Sequence, residues 1–162
     1  MIFARLRKKS PIGSLKEGGM ATIKGVLKSE GSLMIPPSGT RCAYYALMEE
    51  RYGKGQLGRG RPLWFPSRME RKTGGLSVAD ETGTISLEAS GEKISIASAH
   101  REEGLVKGNR KRRFFAEYLF AEDKVIVRGR VERSPSGEGF ILCAPPKGML
   151  KIVVVEPFVP PS

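Results

Sequence analysis

Two arginine-rich stretches carry the clearest chemistry in this chain of 162 residues. The first is Arg59-Gly-Arg-Pro62, followed at once by Leu63-Trp64-Phe65. Two guanidinium groups around a glycine suit a narrow, negative groove, because the glycine lets the backbone lie close. The second is Lys107-Gly-Asn-Arg-Lys-Arg-Arg113, the densest basic run. Arg110, Lys111, Arg112 and Arg113 suit phosphate, whether in nucleic acid or in a lipid headgroup. The competing reading for both runs is a solvated basic loop.

Arg59-Gly-Arg-Pro62 is similar to the core of the AT-hook, although a hook usually continues basic where Leu63-Trp64-Phe65 stand here. Trp64, beside this loop, is a candidate for stacking on a base. Tyr44, Tyr45 and Phe65 are candidates too, but core packing accounts for most of these rings. A third set of cations, Arg5, Arg7, Lys8 and Lys9, lies with Ile2, Phe3 and Leu6 at the N-terminus. That mixture suits a reversible tether to an anionic membrane, or else a frayed terminus.

Other apparent motifs carry less. Gly53-Lys-Gly-Gln-Leu-Gly58 has the glycine spacing of a dinucleotide loop, but Gly-Arg-Gly-Arg-Pro follows, which cannot start the required helix. Asp80-Glu-Thr-Gly83 has the composition of a tight hairpin turn. His100 is the single histidine, and no nucleophile or paired acid stands near it in sequence. No set of acid, base and nucleophile converges, so the expectation is a protein that is not an enzyme and needs no cofactor. One histidine, two cysteines and no Cys-x-x-Cys leave no ligand set for a structural zinc.

The net charge is +11 and the pI about 10.0. Such a balance admits nucleic acid, an anionic membrane surface or an acidic protein as partner. Hydrophobic residues make up 40% and charged residues 28%, the composition of a folded soluble domain. Cys42 and Cys143 sit among apolar residues and are expected to be buried, reduced thiols. The N-terminus is basic without an apolar core, and no run approaches the ~20 apolar residues of a membrane span. The expected location is therefore cytoplasmic, with peripheral membrane contact as the refinement.

The elements that must hold these residues are mostly strands. Met20 to Lys28 alternates apolar and polar, with a bend at Gly25. Cys42 to Tyr52 reads as a strand, and Leu63 to Lys72 as one edged at Pro66. Gly75 to Leu87 reads as a hairpin, and Lys93 to Ala97 as a short strand. Residues 98–112 read as a mobile loop. Residues 114–121 read as the one helix, because Phe114 and Tyr118, and Phe115 and Leu119, fall at helical spacing. Strands over 124–132, 139–143 and 150–155 complete an all-β, OB-like small barrel with one short helix. The organisation expected is a basic arm (1–19), one barrel domain (20–156) and a Pro-rich tail (157–162).

Several segments follow one another in a specific order: Gly25, Ser29-Glu-Gly-Ser-Leu33, Pro37-Ser-Gly-Thr-Arg-Cys42, Tyr44-Tyr45, Trp64 and Asp80-Glu-Thr-Gly83. Glu117-Tyr-Leu119, Val125-x-Val-x-Gly129 and Pro145-Pro-Lys-Gly148 follow. Over about residues 20–155 this order resembles the GIDE-type, or "beside a membrane", domain of mitochondrial membrane-anchored ubiquitin ligases and their prokaryotic relatives. The resemblance implies an OB-like module that binds or senses near a membrane. Ligase activity does not carry over, since the chain has no residues for a zinc-binding RING. The reading is a non-catalytic OB-like interaction module of GIDE type. Its alternative is a nucleic-acid-binding protein using loops 53–62 and 107–113.

Overall fold

A computed structural model describes residues 9–54 and 60–161. In chain order the strands are β1 (Met20–Ser29), β2 (Leu33–Met34), β3 (Arg41–Cys42), β4 (Tyr44–Gly53), β5 (Leu63–Thr73), β6 (Leu76–Asp80) and β7 (Gly83–Glu88). They continue as β8 (Ile94–Ala97), β9 (His100–Val106), β10 (Asn109–Leu119), β11 (Lys124–Arg133), β12 (Phe140–Cys143) and β13 (Leu150–Glu156).

Five strands close a barrel in the ring order β1-β6-β7-β12-β11, with β11 returning to β1. The β7–β12 pair is parallel and the other four pairings in the ring are antiparallel. β13 pairs with the first half of β11 and carries β8 as a parallel outer strand. Alternating apolar residues fill the interior, including Ile23, Leu27, Val78, Val127, Leu142 and Ile152, each fully buried.

Two glycines make closure possible. β1 changes partner at Val26, which is opposite both Lys124 and Ala79. A Cβ on the adjacent Gly25 would stand 2.3 Å from the Ala79 carbonyl oxygen. The bend expected there is a place where two strands approach too closely for any side chain. A Cβ on Gly129 of β11 would meet Leu150 Cδ1 at 2.5 Å and the Cys143 carbonyl oxygen at 2.7 Å.

Asp80-Glu-Thr-Gly83 is the β6–β7 hairpin turn. Asp80 Oδ1 accepts from the Thr82 hydroxyl, Thr82 N and Gly83 N, and Oδ2 accepts from Ile12 N at 2.9 Å. Burial opposes its charge, but these donors outweigh it and hold the carboxyl below the usual range. Residues 10–19, read from sequence as part of an arm, are tied to the barrel. Ser10 N donates to Thr22 O, Val131 N donates to Gly19 O, and Ile12 and Leu15 pack on the core.

Two hairpins interrupt the barrel, β4–β5 after β1 and β9–β10 after β7. They pair with each other as an antiparallel sheet, β5-β4-β10-β9. One end is rooted in the barrel: Tyr44 and Leu119 belong to its core, and the Tyr44 hydroxyl donates to the Gly91 carbonyl at 3.0 Å. Burial pushes the Tyr44 phenol up to about 12. A second core lies on the opposite face, where Tyr45, Leu47, Phe114 and Ala116 pack with Ile35 and Cys42.

Residues 114–121 are not a helix: 114–119 belong to β10, and the only helical pieces among the described residues are 3-10 turns at Ile12–Ser14 and Gly91–Lys93. A spacing of four residues satisfies a period of two as well as one of 3.6. Pairing with β4 and β9, and the β preference of Phe and Tyr, decide for strand. The expected loop at 98–112 is largely β9 and the start of β10. The charges of β9 lie on an edge strand, where apolar alternation is not needed, and Arg110 to Arg112 lie where β10 slips register against it. Pro66 does lie on an edge strand, β5, as expected. Cys42 is buried, but Cys143 is only half-buried and its thiol donates to Glu132 at 3.6 Å. It lies on the barrel wall beside Glu132. No helix among the described residues is long and apolar enough to cross a membrane.

Candidate functional site

The described ends of the 53–62 segment and the start of β10 lie at the same end of the accessory sheet, the one opposite its root in the barrel. β4 and β10 run antiparallel, so Arg51 at the end of β4 is opposite Arg112 at the start of β10. Gly53 is opposite Leu63, which places Lys54 and Arg61 at the same end. Lys107-Gly108 is the β9–β10 turn. Both residues have positive φ, 51° and 72°, as a type I′ turn requires.

Both outer pairings shift register near this end. On β5 the partners pass from Arg68 (opposite Glu49) to Pro66 (opposite Glu50), leaving Ser67 extra. On β10 the partners on β9 pass from Val106 (opposite Asn109) to Leu105 (opposite Arg113). Arg110, Lys111 and Arg112 are therefore extra relative to β9. Bulges of this kind redirect side chains.

Charge is only partly compensated. Glu49 is 3% exposed and accepts from Arg68 at 3.2 Å and from Arg112 at 3.4 Å. Arg68 also donates to Glu70 at 3.0 Å. Glu70 accepts a hydrogen bond from the Tyr45 hydroxyl. That bond, against the effect of burial and with help from Arg68, holds the Glu70 carboxyl below the usual range. Arg113 donates to Glu50 at 2.7 Å. By contrast Arg51, Lys54, Arg61, Lys107, Arg110 and Lys111 have no carboxylate partner among the described residues.

Trp64 is half-buried. The Arg113 guanidinium lies 4.0 Å from its ring centroid, and Tyr52 tilts against it at 5.3 Å. Tyr44 and Tyr45 are core residues. Arg110, Lys111 and Arg61 are exposed, and Arg112 is partly tied to Glu49. Arg59, Arg5, Arg7 and Lys8 lie outside the described residues, while Lys9 is exposed. The site also includes Glu49, Glu50, Arg51 and Arg68, which do not stand out in the sequence. One signal for them exists: counting by two from Tyr45 and Leu47 puts Glu49 on an inward face, and a buried carboxylate needs cations beside it.

A different polar centre joins barrel and sheet. Asp123 is fully buried and accepts from Phe120 N at 2.8 Å and Phe158 N at 2.7 Å, with His100 Nε2 at 2.9 Å. Tyr118 stacks on His100 and Phe120 meets it edge-on. Two backbone donors and the His100 ring engage the carboxylate, which ties the tail at Phe158 to the barrel. No group of three or more His, Cys, Asp or Glu side chains among the described residues is arranged to hold a metal.

The fold and site define a closed five-stranded β-barrel carrying an accessory sheet with a cationic end. Compared with protein-family models, curated proteins and solved structures, the chain has no match.

Proposed function

We propose that this chain is a non-catalytic binding module, an OB-like barrel of GIDE type, whose accessory sheet holds a nucleic-acid backbone at its basic end. The OB-like reading is supported by the ring order and the single parallel closure between β7 and β12, in a five-stranded barrel of the kind that hosts many binding functions. One observation carries the partner: Arg51 and Arg112, distant in the chain, lie opposite each other, and six cations at this end lack a carboxylate among the described residues. Cations directly opposite one another destabilise a sheet, and an anion set between them relieves the repulsion. Phosphate interactions of this type position a partner without reading its sequence.

The experiment is fluorescence anisotropy of the full chain with labelled nucleic acid at increasing salt, beside co-sedimentation with acidic vesicles. Binding at low salt that weakens steeply with added salt is the expected result. No affinity for DNA or RNA at low salt overturns the reading. Pelleting with acidic vesicles alone replaces it with an anionic membrane surface, whose headgroups offer the same phosphate chemistry.

A further inference from the structure

We propose that two copies of this chain pair through the open face of the accessory sheet, face to face about a two-fold axis. The proposal goes beyond the polyanion reading and does not depend on it.

Side chains alternate between the two faces of a sheet. One face is covered by the second core, with Ile35 and Cys42. The other is followed through the stretch where all three pairings keep register. There Ala46 lies beside Arg71 and Glu117, and Glu117 beside Arg101. Two residues along, Met48 lies beside Met69 and Phe115, and Phe115 beside Glu103. Leu105 is next on β9, opposite Arg113. Above these rows lies an open groove of about 920 Å³, with Glu92 at one end.

The groove and the side chains that fit it belong to the same face. Its floor is on the central strands, where Met48 and Phe115 are half-buried. Its rims are on the edge strands, where Met69 is 71% exposed and Leu105 47%. Exposed apolar side chains gathered on one face mark an interaction surface, and methionine adapts its shape to a partner. An isologous interface needs one patch that complements itself, so rims from one copy can enter the floor of the other.

Charge selects the same occupant. The chain carries +11 overall. On this face Arg71, Arg101 and Arg113 are matched by Glu50, Glu103 and Glu117, with Glu92 beside them. A polyanion or an acidic membrane gains nothing from a surface balanced in this way. A second copy brings the same balance, so either sign finds its opposite across the interface. Repulsion between the two net charges opposes pairing, and added salt screens it. Salt should therefore tighten the dimer, whereas it weakens the binding of a polyanion.

Four strands make a small contact, so the dimer should be weak, and the test is sedimentation equilibrium of the full chain over about 10 to 500 μM. The mass should rise with concentration from 17.7 kDa toward twice that value, and further at higher salt. Met69→Glu, and separately Leu105→Glu, should hold the chain at the monomer mass. Arg110→Ala with Lys111→Ala should leave pairing intact. Circular dichroism of each variant checks that the sheet is retained. A monomer mass throughout overturns the proposal, and so does undiminished pairing in both Glu variants. A dimer that dissociates as salt is added places the contact on charged groups elsewhere and overturns it too. None of these outcomes touches the polyanion reading, which is measured separately with nucleic acid.

Discussion

Arg113 Nε donates to Glu50 Oε1 at 2.7 Å, and the same guanidinium covers the Trp64 ring at 4.0 Å. One side chain thus links three strands, β10, β4 and β5, at the end where all three project away from the barrel. Its charge is used internally, so it is the cation of the basic run least available to a partner. Arg113→Ala should therefore destabilise the sheet end more than it weakens polyanion binding. Arg110→Ala with Lys111→Ala should do the reverse. The latter pair should change stability by no more than about 0.5 kcal/mol. It should flatten the slope of log affinity against log salt by about 0.9 for each phosphate left unneutralised. Denaturant titration and a salt series measure the two effects.

Glu49→Gln should separate stability from binding in the opposite direction. The buried carboxylate holds Arg68 and Arg112, whose side chains are 44% and 47% exposed. Its removal should cost about 1.5–3 kcal/mol, the worth of hydrogen bonds to a charged group. The two released arginines can still turn to solvent. They should raise the salt-sensitive affinity for polyanions while the melting temperature falls. A loss of affinity together with stability would contradict this.

Tyr45→Phe removes the phenol that donates to Glu70. The folded Glu70 carboxyl lies below its unfolded value, so the stability it contributes is present above the unfolded carboxylate range. That stability is lost as pH falls through the folded value. The variant should be less stable than the parent at neutral pH, and the gap should close in acid. Urea midpoints measured across that pH range check it. A gap constant with pH would assign the loss to packing alone.

Gly25→Ala should strain the barrel closure. The new methyl would stand 2.3 Å from a backbone carbonyl oxygen, which cannot rotate away as a side chain can. Overpacking of this kind costs about 1–3 kcal/mol or more. Chemical denaturation should show the loss, and Gly19→Ala, with open space at its Cβ, is the control.

The thiols should react in a fixed order. Burial pushes both up to about 11, and Glu132 adds to the effect at Cys143. Little thiolate is present at neutral pH, so both should label slowly in the native protein. Cys143, half-buried on the barrel wall, should label first and faster as pH rises. Cys42 should wait for unfolding. Mass spectrometry of partially labelled protein gives the order.

Local chemistry is readable in the sequence. Asp80-Glu-Thr-Gly83 specifies its own turn, Gly25 marks a close approach, and Pro66 marks an edge. The helix expected at 114–121 rests on a spacing shared by both periods, and β9 is hidden because an edge strand can be charged throughout. The site is half legible. Arg110 to Arg113 stand out, and so does Trp64. The encounter of Arg51 with Arg112 does not, because it depends on pairing between hairpins inserted in different barrel connections. The parallel β7–β12 pairing is equally non-local, and no short segment encodes it.

The β4–β10 pairing also bears on how the molecule assembles. The Arg113–Glu50 hydrogen bond closes a separation of 63 residues, and parts of the barrel lie between the two hairpins in the chain. Closing such a loop costs entropy before any pairing repays it, so proteins dominated by such pairings fold slowly. The rooted end, at Tyr44 and Leu119, is buried in the barrel core, whereas the end at Arg51 and Arg112 is exposed, so local opening is expected to begin there. Amide hydrogens of the first residues of β10 should exchange with solvent well before those of Leu119 or Val127, so the cationic end is also the part of the sheet that a partner can most easily reshape.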